Sequence, residues 1–542
     1  MSSEVGPSNP KPPRLKTRQT TKAAGKAKKK KKKKSKAAAA AAKLLATARG
    51  NDVPDAVVSH VTSIVQQQDE HKNVDEEEVK KALQAMKIME MLQGKTGIGG
   101  KNAKDLGEHK FWKTQPVPQI GDERPTEDGP IEPSKPREEI RQDPYPLPSG
   151  YEWATVDITD PNQVSDSKTG TEVSLIGIQL KEVHELLSAN YVEDTEAAFR
   201  FRYSAEFFAW ALQPPVYHKE WLIGVRVSSN KKLVAFIAGV PLKLRVRESI
   251  LDTSEINFLC IYKKLRSKRL APVLIKEVTR RCNLRGVFQA IYTAGVLLPT
   301  PVSTARYYHR LINVEKLVEA GFTSVSRGST LARMLRLNSV PSETKIPGLR
   351  EMEDSDIKEV LALYDTYMKR FTMTPIVSEE EMRHQMLSGR GHGESVQGRR
   401  QAQVVWPYVV QDPETKAITD FFSFYSLPST ITKSVNQDVV DAAYLFYYGT
   451  NQTGGESAVK ARIQALVTDA LVIASKAKFD VFNALTLMDN YPFLKELNFG
   501  QGDGYLNYYL YNWRTPPIEG FVPLPVNEGG QGIGRGIGVV ML

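Results

Sequence analysis

Apolar residues follow two alternating patterns along this chain. Short apolar runs, rich in β-branched and aromatic residues, have the length of buried strands. They lie at residues 221–227, 233–242, 255–261, 287–293, 403–410 and 420–427. Stretches with helical spacing lie among them, at residues 196–212, 270–283, 353–369 and 457–477. This alternation predicts an α/β (α+β) fold, and its length predicts two similar-sized halves joined near residues 338–350.

The segments around this alternating body have patterns of their own. Residues 51–108 contain two weak amphipathic helical patterns, which are candidates for partner binding. Residues 113–150 are rich in proline and charge and predict an extended strap over the body. The Gly- and Arg-rich residues 387–402 predict a surface insertion. We expect the compact body to begin near Phe111.

The net charge of +11 is concentrated at one end of the chain. Residues 1–50 contain 16 of the 73 Lys and Arg residues and one of the 62 acidic residues, a balance of +15. The other residues therefore carry a balance of −4. An unbroken lysine block, Lys28 to Lys34, predicts a disordered basic arm. Such an arm suits attachment to RNA, ribosomes or an anionic membrane, and a nuclear-localisation signal is the alternative.

Composition also bounds the compartment of this protein. The chain has 542 residues and two cysteines, Cys260 and Cys282, both in apolar surroundings, which favours a reducing compartment. No apolar run is long enough to span a membrane, and no signal-peptide pattern begins the chain. We therefore expect a cytoplasmic protein. The acidic balance of the body argues against nucleic acid as a substrate.

Residues 255–272, EINFLCIYKKLRSKRLAP, predict an anion site. Glu255 to Ile261 has the pattern of a buried strand, and Ala271 and Pro272 open a helix. Five basic residues lie between them, at Lys263, Lys264, Arg266, Lys268 and Arg269. Free backbone N–H groups and the dipole at a helix N-terminus favour phosphate oxygens. A solvated basic turn between two core elements is the alternative.

Several long strings in this chain closely resemble the glycylpeptide N-tetradecanoyltransferases (N-myristoyltransferases). Beyond residues 255–281, the strings are YTAGVLLP, RYYHR, HKFWKTQPVP (109–118), NYVEDTEAAFRFRYS (190–204), FFSFYSLPST (421–430), DVFNAL (480–485) and FGQGDGYLNYYLYNW (499–513). The resemblance spans residues 109–542. It implies a monomer of two tandem acetyltransferase-like halves related by a pseudo-two-fold axis, after a disordered arm at residues 1–108. It also implies transfer of myristate from myristoyl-CoA, a co-substrate, to the amino group of an N-terminal glycine.

The resemblance implies that residues 109–340 bind myristoyl-CoA and that residues 341–542 bind the peptide. The expected contacts to the CoA phosphates are Ser267, Lys268, Arg269, Leu270 and Ala271. The segment expected to close over the cofactor is His109, Lys110, Phe111 and Trp112, and the strand positions along it are Leu259, Cys260 and Ile261. Arg269 stands where acetyltransferases usually have glycine. Myristoyltransferases share this departure, because their loop reads as it does in this chain. Tyr262 stands where some relatives have histidine, so that contact is open.

Acyl transfer to an amine needs a proton acceptor, because the α-amine, with a pKa of roughly 8, is largely protonated near neutral pH. The sequence has no G-x-S-x-G elbow, and Cys260 in its apolar strand favours a core role over a covalent one. The resemblance implies a direct, metal-free transfer in which the C-terminal carboxylate of Leu542 is the base. The apolar run GIGVVML before it suits a buried end. The resemblance also implies that the backbone N–H groups of Phe258 and Leu259 stabilise the oxyanion.

The peptide site is implied by the same resemblance. Asn257 and Thr293 match positions around the accepted glycine. The groove positions are Tyr191, Asp194, Phe199, Phe201, Gly295, Tyr307, His309, Ser429, Tyr444 and Asp503. Of these, Asp194 and Asp503 suit a basic residue near the start of the substrate.

Two other classes of protein remain open from the sequence. An N-acyltransferase that uses another acyl-CoA would share the phosphate loop and differ in the depth of its acyl pocket. A non-catalytic RNA- or ribosome-binding protein would keep the basic arm on a degenerate fold. For a transferase, we expect the arm to hold the enzyme near ribosomes, where N-terminal glycines emerge.

Overall fold

The apolar runs of the sequence form the strands of one large mixed sheet. The computed structural model describes residues 109–119, 122–123, 125–158, 178–191, 198–432, 439–521 and 532–542. These residues all belong to one compact unit, Gly94–Leu542. The predicted helices at residues 51–108 and the basic arm lie outside the described residues.

The described residues contain the following strands: β1 Tyr151–Thr155, β2 Phe199–Phe201, β3 Leu222–Val227, β4 Leu233–Val246, β5 Ser249–Ile261, β6 Gln289–Ala294, β7 Ser303–Leu311, β8 Leu349–Glu351, β9 Met373–Ile376, β10 His392–Val396, β11 Arg399–Gln401, β12 Val405–Gln411, β13 Ile418–Ser426, β14 Ser429–Ile431, β15 Val439–Val440, β16 Ala442–Thr450, β17 Val481–Leu485 and β18 Gly500–Tyr511. Their helices are α1 Ile178–Asn190, α2 Ala205–Leu212, α3 Leu270–Asn283, α4 Val314–Glu319, α5 Leu331–Leu337, α6 Ile357–Met368, α7 Glu379–Arg383, α8 Glu456–Lys476 and α9 Tyr491–Leu494.

The order of strands in the main sheet is symmetrical about its centre. The order is β1-β3-β4-β5-β6-β18-β7-β17-β16-β13-β12-β8, and β9 pairs with β4. The pairs β5–β6 and β16–β17 are parallel, and helices α3 and α8 connect their strands. The late strand β18 pairs with β6, and the early strand β7 pairs with β17. Each half of the sheet therefore takes one strand from the other half, and the predicted α/β class is confirmed.

Most of the predicted elements are present, and one needs correction. The helix predicted at residues 270–283 is α3. The one predicted at 353–369 contains α6, and the one predicted at 457–477 is α8 shifted by one residue. The helix predicted at residues 196–212 is wrong over Phe199–Phe201, which pairs with β14 as strand β2. The helix begins only after Ser204, whose side chain accepts a hydrogen bond from the N–H of Phe207. Two phenylalanines spaced by two residues favour a strand, and an N-cap serine separates them from the helix.

The remaining segments surround this sheet. Residues 125–150 run without a helix or strand, apart from a 3₁₀ turn at Arg137–Glu139. The predicted insertion at residues 387–402 contains the hairpin β10–β11, and all of β10 is exposed. No helix within the described ranges is long and apolar enough to cross a lipid bilayer.

Helix α3 packs on one face of the sheet, as its apolar side predicts. Leu274, Val278 and Cys282 are buried against Trp221 and Val234. This packing fixes the start of α3 at the end of β5, and so positions the loop that joins them.

Candidate active site

The loop between β5 and α3 has the features of an anion site. Lys263, Lys264, Arg266, Lys268 and Arg269 are all exposed. The backbone of Ser267 (φ +69°) and of Arg269 (φ +59°) is left-handed, and Arg269 caps α3 without a side-chain hydrogen bond. The first N–H groups of α3 are therefore not capped by that side chain. The predicted contacts Leu270 and Ala271 are the first two residues of α3.

The C-terminus of α1 fixes the position of this basic loop. The side-chain oxygen of Asn190 accepts a hydrogen bond from the N–H of Lys263 at 3.0 Å. The Arg266 guanidinium donates to the carbonyl oxygen of Asn190. The loop is thus braced at its beginning while its remaining cations stay exposed.

A β-bulge interrupts β5 at the two predicted oxyanion donors. Cys260 pairs with Phe236 and Asn257 with Ala238, so Phe258 and Leu259 together lie opposite the single residue Ile237. Phe258 has a left-handed backbone with φ +57°. A bulge of this kind turns backbone N–H groups away from the regular ladder. The ladder between β4 and β5 is therefore interrupted at Phe258 and Leu259, and the Phe258 N–H donates to the Tyr191 hydroxyl.

The predicted closing segment lies on β6 and β18 through a stack of rings. Trp112 stacks on Tyr292 at 5.5 Å between centroids, and Tyr292 stacks on Tyr509 at 5.0 Å. Phe111 meets the edge of Trp112, and the Tyr511 hydroxyl donates to Gln115 at 3.0 Å. His109 and Lys110 precede this stack. Tyr292 and Thr293 are consecutive residues of β6, so their side chains lie on opposite faces of the sheet. The stack therefore anchors the closing segment to β6 on the face opposite to the Thr293 side chain.

Most of the predicted peptide positions come together in one aromatic region. The ring of Tyr191 lies 6.0 Å from that of Phe258, and the ring of Phe201 lies 6.4 Å from that of Tyr444. Ser429 pairs with Phe201 across β14 and β2. Burial raises the pKa of Tyr191 and that of Tyr444, and the Phe258 amide opposes part of the shift at Tyr191. Both phenols are therefore neutral hydrogen-bonding groups at physiological pH.

His309 belongs to the same region. Its Nδ1 lies 2.7 Å from the side-chain oxygen of Asn483, and its ring meets Phe322 at 5.4 Å. Phe322 in turn meets Phe199 at 5.7 Å. Burial lowers the pKa of His309, although Asn483 and Asp503 oppose this, so the ring is neutral near pH 7. Asp503 itself is exposed at the edge of this region.

The glycine-site residues lie on adjoining parts of the sheet. Thr293 is on β6, opposite Tyr508 of β18, and Gly295 follows directly after β6. Asn257 is on β5, and its Nδ2 donates to Glu255 Oε1 at 2.6 Å. Asp194 lies outside the described residues.

The C-terminal residues form an extended segment that enters the core. Val539, Val540 and Met541 are buried, and Leu542 packs against the main core while remaining partly exposed. The Tyr508 hydroxyl donates to the carbonyl oxygen of Val539 at 3.0 Å, and the Val540 N–H donates to the Tyr447 hydroxyl at 3.1 Å. Val540 lines a small pocket together with Tyr307, Tyr444 and Asn483. The segment therefore ends beside predicted peptide residues.

An ionic cluster anchors the start of this C-terminal segment. Asp489 is 3% exposed and lies 2.7 Å from Arg535 Nε and 3.0 Å from Arg370 Nε. The Tyr367 hydroxyl also donates to Asp489, at 2.8 Å, and Glu456 pairs with both arginines. Backbone bonds continue the attachment, from Met488 N–H to Ile537 and from Gly538 N–H to Met373.

The buried Cys260 and the half-buried Glu255 both have raised pKa values, with different consequences. Burial raises the pKa of the Cys260 thiol to about 12, and the nearby cations Arg266 and Lys263 only partly oppose this. Cys260 is therefore a neutral core thiol near pH 7 and a poor nucleophile. Burial also raises the pKa of Glu255 to about 7, against the hydrogen bond from Asn257. Glu255 is therefore poised between its two protonation states near physiological pH.

Sequence reasoning did not single out several of these residues. Tyr447 and Tyr508 hold the C-terminal segment, Asn483 orients His309, and Asp489 with Arg535 anchors the segment. Their partners lie far away in the sequence, and no local pattern marks them. Glu255 was visible as a carboxylate at the start of an apolar strand, which is an unusual place for a charge.

Comparison with known proteins identifies the family of this arrangement. Residues 172–305 match the family model for the N-terminal domain of myristoyl-CoA:protein N-myristoyltransferase, and residues 319–540 match that for its C-terminal domain. The glycylpeptide N-tetradecanoyltransferase of Aspergillus fumigatus is 48% identical over 475 residues, covering 87% of this chain and 91% of the relative. That of Schizosaccharomyces pombe is 49% identical over 424 residues, covering 77% and 86%.

Solved structures agree with this match. A crystal structure of Saccharomyces cerevisiae N-myristoyltransferase with bound myristoyl-CoA aligns with a TM-score of 0.73 and 43% identity. The alignment covers 85% of this chain and 100% of the yeast chain.

Proposed function

This chain belongs to the myristoyl-CoA:protein N-myristoyltransferase family, an acyltransferase family, and from that membership we propose how it transfers myristate to the amino group of an N-terminal glycine. The acyl donor is myristoyl-CoA, and the acceptor is a protein or peptide that begins with glycine. We assign donor binding to residues 109–340 and acceptor binding to residues 341–542. The protein acts as a monomer.

The CoA phosphates bind the basic loop before α3. The exposed cations Lys268 and Arg269, the Ser267 backbone and the N-terminal N–H groups of α3 supply complementary charge and donors. The segment His109 to Trp112 closes over the thioester end of the donor, and its ring stack on Tyr292 holds it there. Leu259, Cys260 and Ile261 run along the donor on β5.

The acceptor glycine lies between β5 and β6. Asn257 and Thr293 surround its α-carbon, where a larger side chain would collide. The following residues of the peptide run along the aromatic region of Tyr191, Tyr307 and Tyr444. Asp503 at the exposed edge, together with Asp194, attracts a basic residue near the start of the substrate.

The reaction is a direct attack of the amine on the thioester. The Leu542 carboxylate accepts a proton from the glycine ammonium, and the freed lone pair attacks the thioester carbon. The N–H groups of Phe258 and Leu259 stabilise the oxyanion that forms, and one such donor contributes about 3 kcal/mol. Collapse of the adduct breaks the carbon–sulfur bond. The nitrogen loses its second proton, and the CoA thiolate takes up one proton as it leaves. Cys260 takes no covalent part, since its thiol stays protonated.

One observation carries this proposal above the others. The C-terminal segment is buried, held by Tyr447 and Tyr508, and lines the same pocket as the peptide residues Tyr307 and Tyr444. An apolar chain end that only filled the core would not need to end beside the groove. Its position suits a carboxylate that meets the incoming amine.

The test is transfer of a labelled acyl group to a Gly-starting peptide by the full chain and by a chain that lacks only Leu542. We expect the deletion to lower the single-turnover rate by about 100-fold, because a positioned base contributes about that much. Binding of myristoyl-CoA serves as the control and should stay within about twofold. Equal rates for the two chains would keep the transferase and reject Leu542 as the base. Competition among acyl-CoA donors of graded length tests the preference for myristate.

A second part of the proposal concerns the location of the enzyme. The +15 balance of residues 1–50 suits electrostatic attachment to ribosomal RNA, where N-terminal glycines emerge. The enzyme would then act in the cytoplasm close to nascent chains.

A further inference from the structure

Glu255 is a half-buried carboxyl group to which the mechanism above gives no role. It lies on β5, two residues before Asn257 and three before the bulge at Phe258. The Asn257 amide, at the proposed glycine site, donates to Glu255 Oε1 at 2.6 Å. Among the residues that the structure describes, no Lys, Arg or His lies within 4 Å as an ion-pair partner of Glu255. A carboxyl without a cation is therefore hydrogen-bonded to a residue of the reaction site.

The groups around Glu255 connect it to the C-terminal segment. Its charge acts on Tyr447 of β16 and on Tyr508 of β18, which are the two phenols that bind the backbone of Val539 and Val540. Burial raises the pKa of both phenols, so they keep their protons near neutral pH. The same segment continues to Leu542, whose carboxylate is the proposed base. Glu255 is thus linked through Tyr447 and Tyr508 to the segment that ends at this carboxylate.

The reaction needs more than one proton acceptor. The ammonium nitrogen must lose two protons before it becomes an amide nitrogen, and the departing thiolate takes up one. A free α-carboxylate has a pKa of roughly 3.5, so it holds a proton only briefly near neutral pH. If Leu542 kept the first proton, it could not accept the second one.

We propose that Glu255 is the second proton acceptor of the transferase and that it receives the first proton from the Leu542 carboxylate. The ammonium N–H bond breaks and its proton passes to Leu542, leaving the nitrogen lone pair. The proton then moves to the Glu255 carboxylate, which becomes a neutral carboxylic acid. Leu542, again ionised, takes the second proton from the nitrogen of the adduct and gives it to the CoA thiolate. Glu255 returns its proton to solvent after the products leave.

This inference rests on the proposed function, because it describes the fate of a proton that Leu542 accepts. Glu255 acts through Leu542 and Asn257, so its test needs more than a loss of rate. A group that must be ionised to accept a proton sets the midpoint of the acid side of the pH–rate profile. A purely structural group would change the rate without moving that midpoint.

The test is the single-turnover rate of myristoyl transfer to a Gly-starting peptide, from about pH 5.5 to about pH 9, for the full chain and for Glu255→Gln. The reactive state holds the substrate as its ammonium and Glu255 as its carboxylate, so in the native chain the acid side should have a slope of one and a midpoint near the pKa of Glu255, about 7. In E255Q the first proton has to leave for solvent, so we expect the midpoint to move to the pKa of the amine, roughly 8, and the rate at pH 7.5 to fall by about 10- to 100-fold. A native midpoint in E255Q, at any rate, would overturn the inference.

Three further variants make each outcome decisive. Asp252→Asn removes a charge from the exposed side of the same strand and should keep the native rate and midpoint. Glu255→Asp keeps a carboxyl, so the midpoint should stay below the pKa of the amine. A midpoint at the pKa of the amine in E255D would overturn the inference even where E255Q binds myristoyl-CoA poorly. The Leu542 deletion separates the two ideas. If the chain without Leu542 is slow and E255Q behaves as the native chain, only the role of Glu255 is rejected. If the chain without Leu542 transfers at the native rate, both the proposed base and the role of Glu255 are rejected.

Discussion

At the scale of the residue, Phe258 combines a strained backbone with a well-packed side chain. A left-handed backbone costs a bulky residue about 1–2 kcal/mol. Its ring is 1% exposed and lies 5.3 Å from Phe208 and 5.6 Å from Tyr203, and burial of a phenylalanine contributes about 2–3 kcal/mol. The packing offsets the strain and holds the bulge open. The sequence INFLCI does not reveal this bulge, because its apolar pattern is that of a regular strand.

The raised pKa of Glu255 predicts how the unfolding free energy depends on pH, which can be measured without an activity assay. Its pKa of about 7 in the fold exceeds the value of about 4.5 expected in the unfolded chain. As the pH rises through this window, the unfolded chain loses the proton first, so this group disfavours folding increasingly and most strongly above pH 7. Gln cannot ionise. At pH 8 the unfolding free energy of E255Q should therefore exceed that of the native chain by about 1–3 kcal/mol, and at pH 4.5 the two should be nearly equal.

Denaturant unfolding of E255Q and the native chain at several pH values measures this gain. Asp252→Asn is the matched control, because it removes one negative charge from β5 at an exposed position. Native and E255Q curves that stay parallel from pH 4.5 to pH 8 would show that Glu255 ionises freely in the fold.

At the scale of the element, the C-terminal segment depends on one ionic anchor. Arg535 attaches the segment to two carboxylates, Asp489 and Glu456, and the remaining bonds described above join backbone and hydroxyl groups. Arg535→Met would leave Asp489 with Arg370 and Tyr367 alone. We expect the single-turnover transfer rate to fall by about 10-fold or more, because small displacements of a positioned base cost that much. Myristoyl-CoA affinity, measured by calorimetry, should change much less.

Two variants control this prediction. Lys460→Met removes a partly exposed ion pair between Lys460 of α8 and Glu496. This variant should keep the native rate, since such pairs contribute less than about 1 kcal/mol. Arg535→Lys should recover part of the lost rate. A native rate in Arg535→Met would mean that the backbone bonds hold the segment without the ion pair.

The elements also show how far the sequence predicts this fold. Helix α3 matches its predicted bounds because its apolar spacing and the basic loop before it are local signals. Residues 196–212 were assigned wrongly because apolar residues in a short strand followed by a capped helix imitate one longer helix. The individual roles of the loop and groove residues were predicted from the family resemblance and not from local patterns. The anchors Asp489, Tyr447 and Tyr508 could not be predicted, because they act on residues 31 to 93 positions away.

At the scale of the whole molecule, charge is separated along the chain. Residues 1–50 carry +15 and the rest carries −4. Deletion of residues 1–50 should abolish co-sedimentation with ribosomes at low salt and leave peptide turnover nearly unchanged, because the proposed site begins at His109. Sucrose-gradient sedimentation of both chains at two salt concentrations measures this effect.

Replacement of Lys28 to Lys34 by glutamine keeps the length of the arm and removes seven charges. It should weaken sedimentation in the same direction as the deletion and reduce its dependence on salt. Unchanged sedimentation of the deletion would remove the ribosome hypothesis while the transferase remains.

Strands β7 and β18 each pair with a strand of the other half, and this pairing determines the order in which the sheet can form during synthesis. Strand β6 must leave the ribosome long before β18, which starts at Gly500, so its free edge waits for most of the remaining chain. Pairings this distant in sequence form slowly, and open strand edges invite aggregation. Neither half therefore has a complete sheet without a strand from the other half. Nascent chains of this protein should therefore depend on chaperones until the last strand has been made.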